Sequence, residues 1–244
     1  MGLNQFYPLE TNPQTGEPFL RLPAPNQNII LTPPRAGDEA ALLSILNDER
    51  IYRWMSSIPT PYLPHHAQSW VAIIKQRCDD ILQELREEQI VHPDGPLKPV
   101  GDCPVRYLRE VQADGSDVFI GDICIVRSHQ DDVVDPIERA TLVAENNAKP
   151  LGDPSICWSF GDFVTASYHG RGIMSSAMGL ILNSWAIPRM GVRYMKGFAF
   201  DGNIASSRVF EKNGFVRKGL VDNGREVRGK RVIFIHLEWK YSKD

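Results

Sequence analysis

The sequence has no apolar run of the roughly 18 to 20 residues that a membrane-spanning helix needs, and no charged-then-apolar leader at its start. It therefore predicts no membrane role and a cytoplasmic location, with the nucleus as the other open compartment. It has no basic excess either. Lys and Arg number 27 against 30 Asp and Glu, a net charge of -3, which argues against nucleic acid as the main partner. The four cysteines, Cys78, Cys103, Cys124 and Cys157, include no Cys-x-x-Cys pair. Neither a zinc site nor a disulfide framework is indicated, and no metal is expected. A Walker loop is missing for want of Gly-Lys-Ser/Thr, and the dinucleotide fingerprint for want of a third glycine after Gly170 and Gly172. No internal repeat and no low-complexity segment occurs.

What remains is ordinary globular material: 244 residues, 42% hydrophobic and 23% charged, enough for a real core. Residues 1–27 carry Pro8, Pro13, Pro18, Pro23 and Pro25 with little periodicity, so an irregular N-terminal arm is predicted ahead of a single domain over 28–244. Asn28 to Leu31 reads as a strand, and Asp38 as the cap of a helix with Ala41, Leu42, Ile45 and Leu46 inward. The aromatic, proline-punctuated loop from Tyr52 to Tyr62 reads as either an acceptor wall or a lid on the core. A helix from His65 to about Gln89 would bury Trp70, Ile74, Cys78, Ile81, Leu82 and Leu85. His65 and His66 read as helix-start residues.

Strands are expected over Val100–Val111 and Val118–Val126, joined by a turn at Ala113–Ser116. An acidic connection from Arg127 to Asp153 follows, with one or two helical turns at Ile137–Ala144. Beyond it, Ile156, Trp158 and Phe160 alternate with Cys157 and Ser159 as a half-buried strand does, and Ile173, Ala177, Leu180, Ile181 and Trp185 recur at helical spacing up to Pro188. Val192–Phe200 is a strand, Ile204–Asn213 a helix with Gly214 as its left-handed cap, and Val216–Val221 with Arg231–Lys240 a closing hairpin.

The centre of the chain is the stretch from Phe163 to Met174. Gly170 and Gly172 fall between a strand end and a helix start, where the first helical amides lack partners and the helix dipole is positive. An anion such as a pyrophosphate is favoured there, and Arg171 adds charge.

The residues His169, Gly170, Arg171, Gly172, Ile173 and Met174, preceded by Val164, resemble the pyrophosphate signature of the GNAT acetyltransferase superfamily. About thirty residues on, Asn203, Ser206, Phe210, Lys212, Gly214 and Phe215 match its second motif in order. The Gly-Arg-Gly triplet resembles the ribosomal-protein N-terminal acetyltransferase branch, and the likeness covers about residues 28–240. It implies an α/β fold with a mixed, mostly antiparallel twisted sheet of six to seven strands flanked by about four helices. It also implies acetyl-CoA as co-substrate and an amine acceptor, either a small molecule or a protein or peptide N-terminus. His169 stands where the family has Gln or Arg, and Met174 where it has a small residue. Phe210 stands where a Tyr often protonates the departing thiolate, so that acid cannot be this side chain.

The resemblance places Phe163, Val164, His169, Gly170, Arg171, Gly172, Ile173, Met174, Asn203, Ser206 and Phe210 along the coenzyme, with amides near Phe163 and Val164 freed where two strands splay apart. For the base, Asp162 and then Asp122 are the candidates, each with the alternative of being a plain surface or turn carboxylate, and a chain of waters is the other route for the proton. Asn203 and Ser206 either position pantetheine or water, or simply cap a helix. An acyl-coenzyme A binding regulatory module with weak or no catalysis is the second functional reading. Both a monomer and a homodimer stay open.

Overall fold

The computed structural model describes residues 4–242. In chain order its elements are β1 (Glu10–Thr11), β2 (Pro18–Arg21), β3 (Ile29–Thr32), α1 (Glu39–Leu46), α2 (Glu49–Tyr52), α3 (Pro64–Val91), β4 (Tyr107–Val111), β5 (Asp117–Arg127) and α4 (Pro136–Ala148). The second half adds β6 (Cys157–Val164), α5 (Ile173–Ile181), α6 (Ile187–Arg189), β7 (Tyr194–Phe200), α7 (Ile204–Lys212), β8 (Val216–Val221), β9 (Glu226–Val227), β10 (Lys230–Arg231) and β11 (Phe234–Lys240).

One nine-stranded sheet runs β1-β2-β3-β4-β5-β6-β7-β11-β8. Its neighbours are antiparallel except β6 and β7, which run parallel. The mixed, mostly antiparallel α/β architecture is as expected. Two of the extra strands come from the N-terminal segment, which is not irregular: β2 pairs with β3, Leu20 opposite Leu31. Pro18 is tolerated at the first position of β2, ahead of the Leu20–Arg21 register with β3.

Two apolar clusters build the interior. One joins Ile173, Ala177 and Ile181 of α5 to Ile123 and Ile125 of β5, Trp158 and Phe160 of β6, and Ile235 and Leu237 of β11. The other joins Leu42, Ile45 and Leu46 of α1 to Ala67 and Val71 of α3, with Tyr107 and Phe119. β6 is buried on both faces from Cys157 to Phe160 rather than half-buried, because it lies in mid-sheet.

Several local expectations are corrected. Trp70 is 41% exposed; the buried stripe of α3 is Ala67, Val71, Ile74, Cys78, Leu82 and Leu85, and Trp70 stands one residue off it. Only Tyr107–Val111 of the Val100–Val111 stretch is strand. Asp38 precedes α1 without capping it, because its carboxylate takes two hydrogen bonds from buried Arg109 at 2.8 and 2.6 Å. The acidic connection holds a full 13-residue helix, α4, started by Asp135, whose carboxylate accepts from the Ile137 and Glu138 amides, with Pro136 at the first position. Pro188 does not end the helix after the cradle; a five-residue π turn, Leu182–Ala186, precedes it and leads into α6. Between β8 and β11 the chain inserts the small β9–β10 hairpin instead of one tight turn. Gly214 caps α7 as expected, at φ 82°, with the Phe215 amide donating to the Phe210 carbonyl at 3.2 Å.

Candidate active site

The cleft starts from how little of β6 is paired with β7. Parallel register covers only Cys157 opposite Tyr194 and Trp158 opposite Met195. Beyond them β6 continues to Val164 and β7 to Phe200, each still bonded to its other neighbour: β6 to β5 as far as Val164 opposite Gly121, and β7 to β11 as far as Phe200 opposite Phe234. The two strands therefore part from Ser159 onward, leaving facing edges whose peptide groups are not all used in the sheet. Gly121 makes the top of β6 possible, since a Cβ there would stand 2.4 Å from the Phe163 carbonyl oxygen.

At the open end the chain turns into α5 through the glycines. Gly170 (φ 77°) and Gly172 (φ 75°) are both left-handed, and a Cβ on either would meet nothing within 4 Å. Backbone conformation, not crowding, selects glycine there, and the space above the turn is open. Among the described residues the amides of Gly170 through Ser175 donate to no protein acceptor; the first to do so is Ser176, to the Gly172 carbonyl at 3.0 Å. A run of unpartnered donors at a helix start is a site for a phosphate group.

The side chains expected along the coenzyme divide sharply. Ile173 and Met174 are buried in the core, so only their amides face outward. His169 turns back, its Nε2 2.9 Å from the Val164 carbonyl; a carbonyl only accepts, so Nε2 carries the proton and is engaged within the turn. Arg171 lies over the Tyr168 ring, 4.8 Å from its centroid. Phe210 is 1% exposed and packs on Gly197 and Phe215, deep in the core. Asn203 caps α7, its Oδ1 accepting from the Ser206 amide at 3.2 Å.

The two carboxylates differ most. Asp122 is held by Arg106 in a two-pronged ion pair of 2.7 and 2.8 Å, both side chains almost fully buried. Among the described residues Arg106 is its ion-pair partner, and a carboxylate engaged in this way serves the fold. The Asp162 side chain makes no hydrogen bond among the described residues, and the residue keeps part of its surface accessible. Burial, and secondarily the charge of Asp122, push its carboxyl up to about 6. Asp162 lies opposite Ile123 and Phe163 opposite Asp122, so the two acids stand on opposite faces of the sheet.

Of the aromatic loop, Trp54 stands edge-on to Phe200 of β7 at 6.5 Å, and the β9–β10 hairpin reaches over it, Arg228 donating to the Met55 and Arg53 carbonyls at 3.0 and 3.2 Å. Tyr62 is buried against α1 and α3 instead. His66 Nδ1 accepts from the Leu63 amide, so it serves the start of α3. Sequence reading missed the pairing of Lys196 with Asp132 at 2.7 Å, which ties the connection after β5 to the point where β6 and β7 part. It also missed the Arg106–Asp122 pair; neither partner lies near the other in sequence.

Open donors at a helix start, beside a cleft between diverging strands, suit a long acyl donor that carries phosphate, and sequence comparison gives the same class. A family model described as an acetyltransferase (GNAT) domain matches residues 28–216, and the chain belongs to this family. No curated protein matches the sequence. Among solved structures, a GNAT-family acetyltransferase from Bacillus anthracis is similar over 91% of this chain and 98% of its own, with TM-score 0.58 and 10% identity. RimJ from Mycobacterium smegmatis, in complex with CoA-disulfide, is similar over 92% and 86%, with TM-score 0.53 and 21% identity. The ribosomal-protein-S5-alanine acetyltransferase from Vibrio fischeri is similar over 91% and 96%, with TM-score 0.55 and 14% identity. At these identities the likeness is one of fold. Among the described residues no helix is long and apolar enough to cross a membrane.

Proposed function

We propose that the chain transfers an acetyl group from acetyl-coenzyme A to a primary amine by direct attack, the acceptor being a small-molecule amine or a peptide N-terminus. The observation that carries this reading is the run of open amides from Gly170 to Ser175 at the mouth of the β6–β7 cleft. Those amides would take the pyrophosphate, and the free edges of β6 and β7 the pantetheine arm. The edge of β6 turned toward the cleft near Phe163 and Val164 would supply amide donors for the oxygen that turns anionic as the amine adds.

In the reaction a C–N bond forms as the C–S bond breaks, and one proton must leave the nitrogen. Asp162 is the acceptor for that proton: partly accessible, without a hydrogen-bond partner for its side chain among the described residues, and with its carboxyl near 6, it is ionised at neutral pH yet more basic than an ordinary carboxylate. An α-amine, at ~7.7 to 8.0, needs less help than a lysine-like amine at ~10.4. No acid is required of Phe210. The sulfur leaves as a thiolate, stable near its ordinary pKa of ~8.5, and takes its proton from solvent.

The test is thiol release from acetyl-coenzyme A against short peptides with free N-termini, polyamines and aminoglycosides. Release on one acceptor class supports the transferase and names its substrate. Coenzyme A binding with no release on any amine would move the reading to a non-catalytic acyl-coenzyme A binding module.

A further inference from the structure

The loop that forms the cradle contributes few side chains to the core. Among the described residues, two side chains between the end of β6 and the start of α5 hydrogen-bond to strands beyond β6. Thr165 donates through both its amide and its hydroxyl to the Ile120 carbonyl, at 2.7 and 2.9 Å. Tyr168 reaches away from the cleft to the outer part of β4, where its hydroxyl donates to Glu110 Oε2 at 2.6 Å.

Glu110 is itself held. Asn28 Nδ2 donates to its Oε1 at 3.1 Å and Gln112 Nε2 to its Oε2 at 3.3 Å. The Tyr168 hydroxyl is the main reason its carboxyl lies below the usual range. Over the Tyr168 ring lies the guanidinium of Arg171, the residue between the two left-handed glycines. Asn28, Glu110, Tyr168 and Arg171 thus form a continuous chain from the β3–β4 edge to the phosphate turn.

We infer that Tyr168 is a positioning residue for the coenzyme: anchored by Glu110, its ring fixes the turn from His169 to Gly172 and carries Arg171 at the level of the open amides. The inference rests on the proposal that this turn takes a pyrophosphate. Gly170 and Gly172, with no side chains to pack, leave the turn free to adopt other conformations, and a ligand must then order it on binding. The brace supplies that order in advance. The stack on Tyr168 keeps a mobile arginine from ranging into solvent and presents its charge beside the donors.

The test compares wild type with Tyr168→Phe, Tyr168→Ala, Glu110→Ala and Glu110→Gln in the full chain. Coenzyme A affinity is read by calorimetry, and turnover is read with acetyl-coenzyme A and with S-acetylpantetheine, which has no pyrophosphate. Tyr168→Ala, which loses both bond and stack, is expected to weaken coenzyme A about tenfold or more, and Tyr168→Phe about threefold. Glu110→Gln keeps an acceptor for the hydroxyl and should recover most of what Glu110→Ala loses. Turnover of S-acetylpantetheine should stay within about twofold throughout, a split that general unfolding would not produce. Equal loss on both donors, or a Tyr168→Ala protein that binds coenzyme A like wild type, would overturn the brace and leave the cradle standing. Wild type that binds no coenzyme A would overturn the brace and the proposed function together.

Discussion

Replacing Gly172 with glutamate separates the two requirements of the turn, conformation and charge. At φ 75°, with no atom within 4 Å of where a Cβ would stand, a side chain is strained by its backbone but not by its neighbours. The left-handed conformation costs a non-glycine residue about 1 to 2 kcal/mol. A carboxylate at a helix N-terminus recovers some of this, about 0.3 to 1 kcal/mol. Stability should therefore fall by about 1 kcal/mol, which lowers Tm by roughly 2–4 °C in a chain of this size. Binding should suffer far more. A carboxylate about 5 Å from a phosphate, at an effective dielectric of about 20, opposes it by about 3 kcal/mol, roughly a hundredfold in Kd. Gly172→Ala isolates the strain and should cost only several-fold. Calorimetry with coenzyme A, paired with thermal denaturation of each variant, reads both numbers. A Gly172→Glu protein that keeps its coenzyme A affinity within about threefold would refute the placement of the pyrophosphate on these amides.

Asp162→Asn should abolish the acidic limb that kcat/KM is expected to show near pH 6, where the wild-type carboxyl ionises; an unchanged pH profile would exclude it as the base. The same variant tests the folding side. Because the folded-state value is raised from 3.8 to about 6, the unfolded chain loses its proton first, so wild type loses stability as pH rises from about 4 through 6. Asp162→Asn should then be the more stable protein at pH 7, by at most about 3 kcal/mol, and the difference should vanish below pH 4. Arg106→Met leaves Asp122 buried without its partner and should cost about 3–5 kcal/mol, whereas adding Asp122→Leu should restore much of it; a mild single variant would show that the pair is solvated.

The parts of this fold that were legible from sequence are those whose signal is local. The change from strand to helix around Gly170 and Gly172, and α7 ending at Gly214, are written in neighbouring residues, and both motifs sit where they were expected. The N-terminal strands were hidden because β1 and β2 are short and form by pairing with each other and with β3, and five prolines over residues 1–27 masked them. The start of α4 did have a local sign, the Asp135-Pro136 pair, which the acidic composition of the connection obscured. At the site, Asp162 and Asp122 look alike in sequence. What separates them is Arg106, sixteen residues from Asp122 and brought to it only by the β4–β5 arrangement. His169 is a similar case: its bond to the Val164 carbonyl follows from the turn between them, whereas the family resemblance had set it along the coenzyme.

The most direct measurement is isothermal titration of the full chain with acetyl-coenzyme A, followed in the same cell by thiol release on a peptide with a free N-terminus. Saturable micromolar binding that Gly172→Glu weakens roughly a hundredfold is expected, then release of one thiol for each amine acetylated. No heat of binding with wild-type protein would contradict the cradle, and with it the reading of the cleft as an acetyl-transfer site.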